Sequence, residues 1–200
     1  MSAFEWIPSL FAADPLCFGD ALKRVSADYA SIHVDIMDGH FVPNISFGSA
    51  MVAAVKRIAP RLLIEVHLMV TNPENFIHPC IQAGAQRIFV HVEVPSAAET
   101  CKTLQASGIQ WGLVINPETP LECLPKALLQ ESGNCLIMSV HPGFCGQSFI
   151  EATYQRVAAI HQAYPQLTLT VDGGINPEIA AKLANLGVAH CVAGSYCFKQ

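Results

Sequence analysis

The chain has 200 residues, of which 52% are hydrophobic and only 14% are charged, and its formal net charge at pH 7 is −5. This acidic balance excludes nucleic acid and anionic membrane surfaces as the main partner. No apolar run approaches the roughly 20 residues of a membrane-spanning helix, and the first eleven residues lack the features of a secretory signal peptide. We therefore predict one soluble domain over residues 1–200 with a large core.

The eight cysteines indicate a reducing compartment. They contain no C-x-x-C pair, and most of them stand among aliphatic residues. In a chain of this size, that pattern is typical of reduced core cysteines and not of a disulfide framework. We therefore expect a cytoplasmic protein.

Short β-branched or apolar segments alternate along the chain with segments of helical periodicity. The helical patterns cover residues 47–59, 73–84, 97–108 and 177–187, with Asn-Pro pairs at two starts and glycines after three ends. This alternation indicates a parallel sheet, and eight evenly spaced strands favour a closed (β/α)8 TIM barrel. The predicted strands cover residues 4–9, 29–37, 62–70, 87–94, 109–116, 135–140, 167–173 and 190–195.

Few residues follow the eighth predicted strand, since the chain ends at Phe198, Lys199 and Gln200. We therefore predict a barrel that lacks its eighth helix. The apolar surface of the first and eighth strands would then be covered by another copy of the chain, so we expect a homo-oligomer.

Four ionisable side chains are predicted to converge inside the barrel mouth. Because residues i and i+2 share a strand face, His33 and Asp35 point inward on the second strand, as do His67 on the third and Asp172 on the seventh. Buried carboxylates need a cation or a proton. Two imidazoles and two carboxylates suit one divalent ion such as Zn²⁺, Fe²⁺, Mn²⁺ or Co²⁺. The alternative interpretation is a set of unrelated core histidines and a helix-capping aspartate.

The roles of the other histidines are less defined. His91 and Glu93 also alternate inward on the fourth strand, but without a matching partner their role stays open. His40 follows the second strand and could approach the site. We interpret the remaining histidines as non-catalytic, His141 with the most reservation; they are His78, His141, His161 and His190.

Three glycine-rich segments follow or end the last three strands, at residues 141–149, 171–177 and 192–195. Glycines allow backbone N–H groups to approach a ligand, and helix N-termini after strands six and seven favour an anion. Barrel enzymes often bind phosphate at the loops after strands seven and eight. We therefore predict a small phosphorylated ligand. The residues concerned are Gly143, Gly146, Gly173, Gly174, Gly194 and Ser195.

These segments also carry a family resemblance, through the motifs HVDIMDGHFVPNISFG, VHLMVTNPENFI, INPETPL, MSVHPGFCGQSF, VDGGIN and VAGS. Nearly the whole chain resembles the ribulose-phosphate 3-epimerase family, enzymes of the pentose phosphate pathway that interconvert D-ribulose 5-phosphate and D-xylulose 5-phosphate. The resemblance implies a metal-dependent isomerase that acts through an enediolate. It implies His33, Asp35, His67 and Asp172 as ligands of one divalent metal per subunit, with Asp35 and Asp172 as the acid–base pair.

The resemblance also implies the substrate contacts. Ser9 and His67 would face the sugar, and the three glycine-rich loops would surround the ligand, mainly its phosphate. The methionines 37, 69 and 138 match residues that cover the intermediate in the family, with plain core packing as the alternative. The implied substrate-binding set is Ser9, His67, Gly143, Phe144, Cys145, Gly146, Asp172, Gly173, Gly174, Gly194 and Ser195.

Some positions depart from the family pattern. Glu65 stands where aspartate is usual, Cys145 where glycine is usual and His141 where asparagine is common. Two alternative functions stay open: a related 3-epimerase of a ketohexose 6-phosphate such as allulose 6-phosphate, and a weakly active or non-catalytic barrel paralogue. Against the paralogue stands the retention of all four candidate ligands.

Overall fold

A barrel of eight parallel strands forms the centre of the computed structural model, which describes residues 4–198. The strands are β1 (Glu5–Pro8), β2 (Ser31–Met37), β3 (Leu63–Met69), β4 (Arg87–His91), β5 (Gln110–Ile115), β6 (Asn134–Met138), β7 (Thr168–Asp172) and β8 (Val188–Ala193). They pair in chain order from β2 to β8, and β1 pairs with β8. A parallel bridge between Ser9 and His33 brings the end of β1 against β2 and nearly closes the barrel. The predicted TIM-barrel fold is confirmed.

Helices follow the strands and surround the barrel. They are α1 (Phe18–Asp28), α2 (Ser49–Ile58), α3 (Glu74–Ala83), α4 (Ala97–Ser107), α5 (Lys126–Ser132), α6 (Thr153–Ala163), α7 (Pro177–Asn185) and α8 (Ser195–Phe198). The Asn-Pro pairs and glycines that the sequence predicts at helix boundaries stand at several of these ends. Asn176 Oδ1 accepts a hydrogen bond from Ile179 N at 2.9 Å and caps the start of α7. Gly84 ends α3 in a left-handed conformation that suits glycine.

Strand alternation separates two apolar layers. Outward side chains such as Val34, Val66 and Val171 pack against the helices in one large core. Inward side chains such as Phe89 and Leu136 form a separate cluster inside the barrel. A buried outward layer and a filled interior are the usual packing of this fold.

One aromatic ring fills the interior below the barrel mouth. Phe89 on β4 is fully buried, one inward layer below His91. A Cβ atom on Gly112 of β5 would lie only 2.5 Å from Phe89 Cε1. The ring therefore fits only beside a glycine, since a close-packed interior has no room for both groups.

The prediction that the barrel lacks its eighth helix was wrong. Residues 195–198 form a helical turn, in which the N–H groups of Cys197 and Phe198 lie 3.1 and 3.2 Å from the carbonyl oxygen of Gly194. Tyr196 on this turn packs against Trp6 of β1, with ring centroids 4.7 Å apart, and covers part of the surface expected to be open. Four residues are too few for a helical periodicity to be visible in the sequence.

Residues 1–3 and 199–200 lie outside the described residues. They include the start of the segment used to exclude a signal peptide, and Lys199 and Gln200, on which the prediction about the eighth helix also rested. Within residues 4–198, no helix is both long and apolar enough to cross a bilayer.

Candidate active site

Four side chains from three strands meet at the C-terminal mouth of the barrel. His33 and Asp35 come from β2, His67 from β3 and Asp172 from the end of β7. One ligand atom of each lies within 4.8 Å of the other three. The register of β2 and β3 pairs Asp35 with His67, so these two side chains share the inner face. The structure thus brings together all four residues that the sequence predicts as metal ligands.

The spacing of the four ligand atoms fits one divalent ion. His33 Nε2 lies 3.2 Å from Asp35 Oδ1 and 3.6 Å from Asp172 Oδ2. His67 Nδ1 lies 3.1 and 3.6 Å from the same two oxygens. Four atoms bound tetrahedrally to one ion at about 2.1 Å would lie about 3.4 Å apart. His33 Nε2 is also fully buried without a hydrogen-bond partner, as expected of a lone pair directed at a cation.

The buried carboxylate of Glu65 contacts the nitrogen of His33 that faces away from the candidate metal site. His33 Nδ1 lies 2.6 Å from Glu65 Oε1, and Arg87 Nη1 donates to Glu65 Oε2 at 3.1 Å. Because the carboxylate accepts the Nδ1 proton, the lone pair of His33 is placed on Nε2, which faces the site. Glu65, which departs from the family pattern, therefore orients a candidate ligand.

The other nitrogen of His67 begins a series of hydrogen-bond contacts that runs through His91 and Glu93 to the backbone of Asn116. Its Nε2 lies 2.8 Å from His91 Nε2, and His91 Nδ1 lies 3.0 Å from Glu93 Oε2. Glu93 Oε1 in turn accepts a hydrogen bond from Asn116 N at 2.8 Å. From the sequence alone, no partner could be assigned to His91 and Glu93. The partner of His91 is His67, which lies on a different strand, β3.

Burial and neighbouring charges shift the pKa values of the site in different directions. Burial alone would lower the pKa of His33 and His67, but Asp35 and Asp172 raise the pKa of both above 6.5. Burial would raise the pKa of Asp35, but the two histidines hold that pKa well below its usual range. At His91, burial prevails and lowers the pKa to about 4. The electrostatics therefore favour an ionised Asp35 and a neutral His91.

A cavity of about 350 Å³ opens at the site, within the size range of small-molecule pockets. Asp35 and Asp172 line it, whereas His33 and His67 are fully buried and do not. Ser9 also lines it, and its Oγ donates to Asp35 Oδ2 at 2.7 Å. The implied contact between His67 and the sugar stays a prediction.

The other residues of the implied substrate-binding set all line this cavity, as do the three methionines. The set is Gly143, Phe144, Cys145, Gly146, Gly173, Gly174, Gly194 and Ser195. The methionines, Met37, Met69 and Met138, are nearly buried, which suits both a cover over a ligand and core packing.

The glycine-rich loops have backbone conformations that require glycine. Gly173 and Gly174 have φ angles of +114° and +66°, and a Cβ on Gly174 would lie 2.5 Å from Phe149 N. Among residues 4–198, only glycines have a positive φ, so Cys145 replaces the usual glycine without backbone strain. Asn44 joins these loops to the loop after β2, since its Nδ2 donates to Gly143 O at 2.7 Å.

Two further histidines lie near the barrel mouth. His141 is exposed and lines the cavity, and its interpretation as non-catalytic stays a prediction. His40 is exposed outside the cavity lining, where its Nδ1 lies 2.9 Å from the carbonyl oxygen of Asp38. Its position in the loop after β2 does not bring it to the four candidate ligands.

Solved structures share the fold of this chain. A mutant tryptophan synthase α-subunit from Pyrococcus furiosus matches with a TM-score of 0.71 at 18% identity, over 96% of this chain and 87% of the other. N-(5′-phosphoribosyl)anthranilate isomerase from the same organism matches with a TM-score of 0.64 at 13% identity, over 96% of this chain and 88% of the other. At these identities the likeness concerns the fold alone.

Sequence relatives are far more similar. The ribulose-phosphate 3-epimerase of Chlamydia muridarum is 41% identical over 96% of this chain and 87% of its own length. That of Bacillus subtilis is 35% identical over 96% and 91%, and a rice protein named as the cytoplasmic isoform is 37% identical over 98% and 88%. The model of the ribulose-phosphate 3-epimerase family matches residues 5–198. The chain therefore belongs to the ribulose-phosphate 3-epimerase family.

Proposed function

We propose that this chain, as a single barrel domain over residues 1–200, interconverts D-ribulose 5-phosphate and D-xylulose 5-phosphate by inverting C3. Family membership supports the reaction, and one structural observation supports its location. The ligand atoms of His33, Asp35, His67 and Asp172 lie 3.1–3.6 Å apart across each histidine–aspartate pair, at the wall of a cavity large enough for a sugar phosphate.

Two carboxyl groups supply the proton transfers in this proposal. The hydrogen at C3 lies next to the C2 carbonyl, and its removal gives an enediolate. Inversion needs one group to take the proton from one face and a second group to supply a proton to the other. Asp35 and Asp172 suit these roles because both reach the cavity from strands that β1 and β8 separate. One must be ionised and the other protonated when the substrate binds.

Ser9 orients one of these carboxyl groups. Its hydroxyl donates to Asp35 Oδ2, while Oδ1 of the same carboxylate is the oxygen near His33 and His67. Each oxygen of Asp35 therefore has a separate partner, which fixes the rotation of the carboxylate. We propose that this orientation presents Oδ2 to the substrate side of the cavity.

A divalent ion would be held by His33 Nε2, Asp35 Oδ1, His67 Nδ1 and Asp172 Oδ2. When bound, it would supply a Lewis acid that stabilises negative charge on the sugar oxygens. Zn²⁺, Fe²⁺, Mn²⁺ and Co²⁺ all suit a set of two imidazoles and two carboxylates. The unpartnered, fully buried His33 Nε2 supports this proposal.

The glycine-rich loops would bind the phosphate. Gly173 and Gly174 follow β7, and Gly194 and Ser195 follow β8, where barrel enzymes often hold phosphate. Their backbone N–H groups can approach an anion closely because no side chain intervenes. We propose that this half of the cavity binds the phosphate while the carboxylates act on C3.

We also propose a cytoplasmic location. All eight cysteines lie within the described residues and none is in a disulfide, which suits a reducing compartment. The homo-oligomer expected from the sequence stays a prediction. Sedimentation at micromolar concentration tests it, and a monomer mass would contradict it.

The test is turnover of purified protein on ribulose 5-phosphate and allulose 6-phosphate, before and after chelation. We expect ribulose 5-phosphate to be the better substrate, activity to vanish with chelator, and one of the four divalent ions to restore it. Preferred turnover of allulose 6-phosphate would instead identify the hexulose enzyme. No turnover of either sugar phosphate with any of the four ions would indicate a non-catalytic paralogue.

A further inference from the structure

We infer that His91 and Glu93 are positioning residues, which hold His67 in the tautomer that leaves its Nδ1 free to bind a metal ion. The inference rests on the metal site of the proposed function and adds residues outside the four candidate ligands. It follows from three consecutive contacts: His67 to His91, His91 to Glu93, and Glu93 to the backbone of Asn116.

The two ring nitrogens of His67 face different partners. Nδ1 lies 3.1 Å from Asp35 Oδ1 and 3.6 Å from Asp172 Oδ2, so it faces the candidate metal site. Nε2 faces away from that site and lies 2.8 Å from His91 Nε2. A neutral imidazole has one donor and one acceptor nitrogen. If Nδ1 keeps its lone pair for an ion, Nε2 must carry the proton and donate it to His91.

Only one arrangement of protons satisfies the remaining contacts. His91 Nε2 must accept the proton of His67, so the proton of the neutral His91 ring stands on Nδ1. That proton is donated to Glu93 Oε2 at 3.0 Å. Glu93 Oε1 accepts from Asn116 N at 2.8 Å, so both oxygens of this carboxylate act as acceptors. The carboxylate thereby determines which nitrogen of His67 is free.

Packing fixes the side chains of this relay, by which we mean the contacts from His67 through His91 and Glu93 to the backbone of Asn116. His91 is fully buried between two rings, with centroids 5.0 Å from His67 and 4.6 Å from Phe41. The loop that anchors Glu93 is itself tied to α6, because Arg156 Nη2 donates to the carbonyl oxygens of Asn116 and Thr119 at 3.0 and 2.8 Å. Groups fixed in this way can set the tautomer and ring orientation of a ligand.

Glu93→Gln tests the relay with almost no change in shape. A glutamine offers one oxygen and one NH₂ group, so it cannot accept from both His91 Nδ1 and Asn116 N. We expect Zn²⁺ affinity, measured by competition with a chromophoric chelator, to fall about 10- to 100-fold. Glu99→Gln is the matched control: Glu99 lies on the surface of α4, its side chain is 77% exposed, and the same change there should leave Zn²⁺ affinity unchanged.

A pair of changes at His91 separates hydrogen bonding from packing. His91→Phe removes the acceptor, whereas His91→Gln keeps an acceptor oxygen near the position of Nε2. We expect His91→Phe to weaken Zn²⁺ binding and His91→Gln to recover part of the loss. Equal losses in the two variants would indicate that only packing matters and would overturn the inference.

The wild-type protein gives a test that needs no variant. In the Zn²⁺-loaded protein, long-range ¹H–¹⁵N NMR of the imidazoles should show the His91 proton on Nδ1; a proton on Nε2 would overturn the inference. If the wild-type protein binds no Zn²⁺, both the proposed metal site and this inference are contradicted. If the wild-type protein binds Zn²⁺ tightly and Glu93→Gln leaves this affinity unchanged, only the inference is contradicted and the metal site stands.

Discussion

The two halves of the barrel mouth are built from different parts of the chain. On β2 to β4, the chemistry is carried by buried side chains in alternating inward positions, such as His33, Asp35 and His67. After β6 to β8, it is carried by glycine-rich loops, in which Gly173 and Gly174 have positive φ angles. Asn44 connects the halves through its hydrogen bond to Gly143 O.

This difference separates two tasks. The side-chain half holds titratable groups at fixed distances, with Glu65 and His91 behind the two histidines. The loop half offers backbone N–H groups and space, which suits an anion that undergoes no reaction. We therefore expect changes in the first half to lower kcat and changes in the second half to raise KM.

The largest effect should come from Asp35→Asn and Asp172→Asn. Each change keeps the shape of the side chain but removes a proton acceptor, so we expect kcat to fall by about 10²- to 10⁴-fold. Assays of ribulose 5-phosphate turnover check this, with circular dichroism as the control for folding. Appreciable turnover by either folded variant would contradict the two-carboxylate mechanism.

Ser9→Ala should have the next largest effect. It removes the hydroxyl that donates to Asp35 Oδ2 at 2.7 Å, and a hydrogen bond to a charged group contributes about 1.5–3 kcal/mol. We expect kcat to fall by roughly 10- to 100-fold with a smaller change in KM. A change confined to KM would show that Ser9 only binds the sugar.

Gly174→Ala should mainly raise KM, by about tenfold. The new Cβ would meet Phe149 N at 2.5 Å in a residue with φ of +66°, so the loop must move. Gly133→Ala is a matched control, because Gly133 has φ of +67° and its Cβ would meet nothing within 4 Å. The control should lower stability by about 1 kcal/mol and leave KM unchanged. Equal KM values in both variants would contradict a phosphate-binding role for this loop.

The smallest predicted effect concerns stability and pH in the metal-free protein. The carboxylates raise the pKa of His33 and His67 in the folded chain above the value of 6.5 in the unfolded chain. The stabilisation is therefore fully present below pH 6.5 and is lost as pH rises through the raised pKa values. We expect the free energy of unfolding by urea, with chelator, to be lower near pH 9 than near pH 6. The lowered pKa of His91 and the raised pKa values of buried cysteines such as Cys101 also contribute, so the control is Asp35→Asn, which lacks the carboxylate beside both histidines. A pH dependence as large in this variant as in the wild-type protein would contradict the assignment to His33 and His67.

The side-chain half of the mouth could be predicted from sequence more fully than the rest. Strand alternation has a fixed period of two, so it placed His33, Asp35, His67 and Asp172 on the inner face without a model of the loops. It also pointed to His91 and Glu93 but could not pair them with His67. That pairing depends on how β3 and β4 lie side by side, which a single strand does not encode.

Two other features lay beyond the sequence patterns. The helical turn at residues 195–198 is shorter than one period of an amphipathic pattern, so no periodicity could reveal it. The backbone angles of the glycine-rich loops were also hidden, because glycine permits both signs of φ. This is why the sequence could not show whether Cys145 needed a positive φ, and the structure shows that it does not.

The most direct test of the two-carboxylate mechanism is a single turnover of ribulose 5-phosphate in deuterium oxide, with the hydrogen at C3 followed by NMR. If one carboxyl group removes the substrate hydrogen and the other supplies a solvent-derived deuteron, the xylulose 5-phosphate formed carries deuterium at C3. Xylulose 5-phosphate that retains the substrate's own hydrogen at C3 would show that a single group removes and returns it, and would contradict the assignment of Asp35 and Asp172 as a pair.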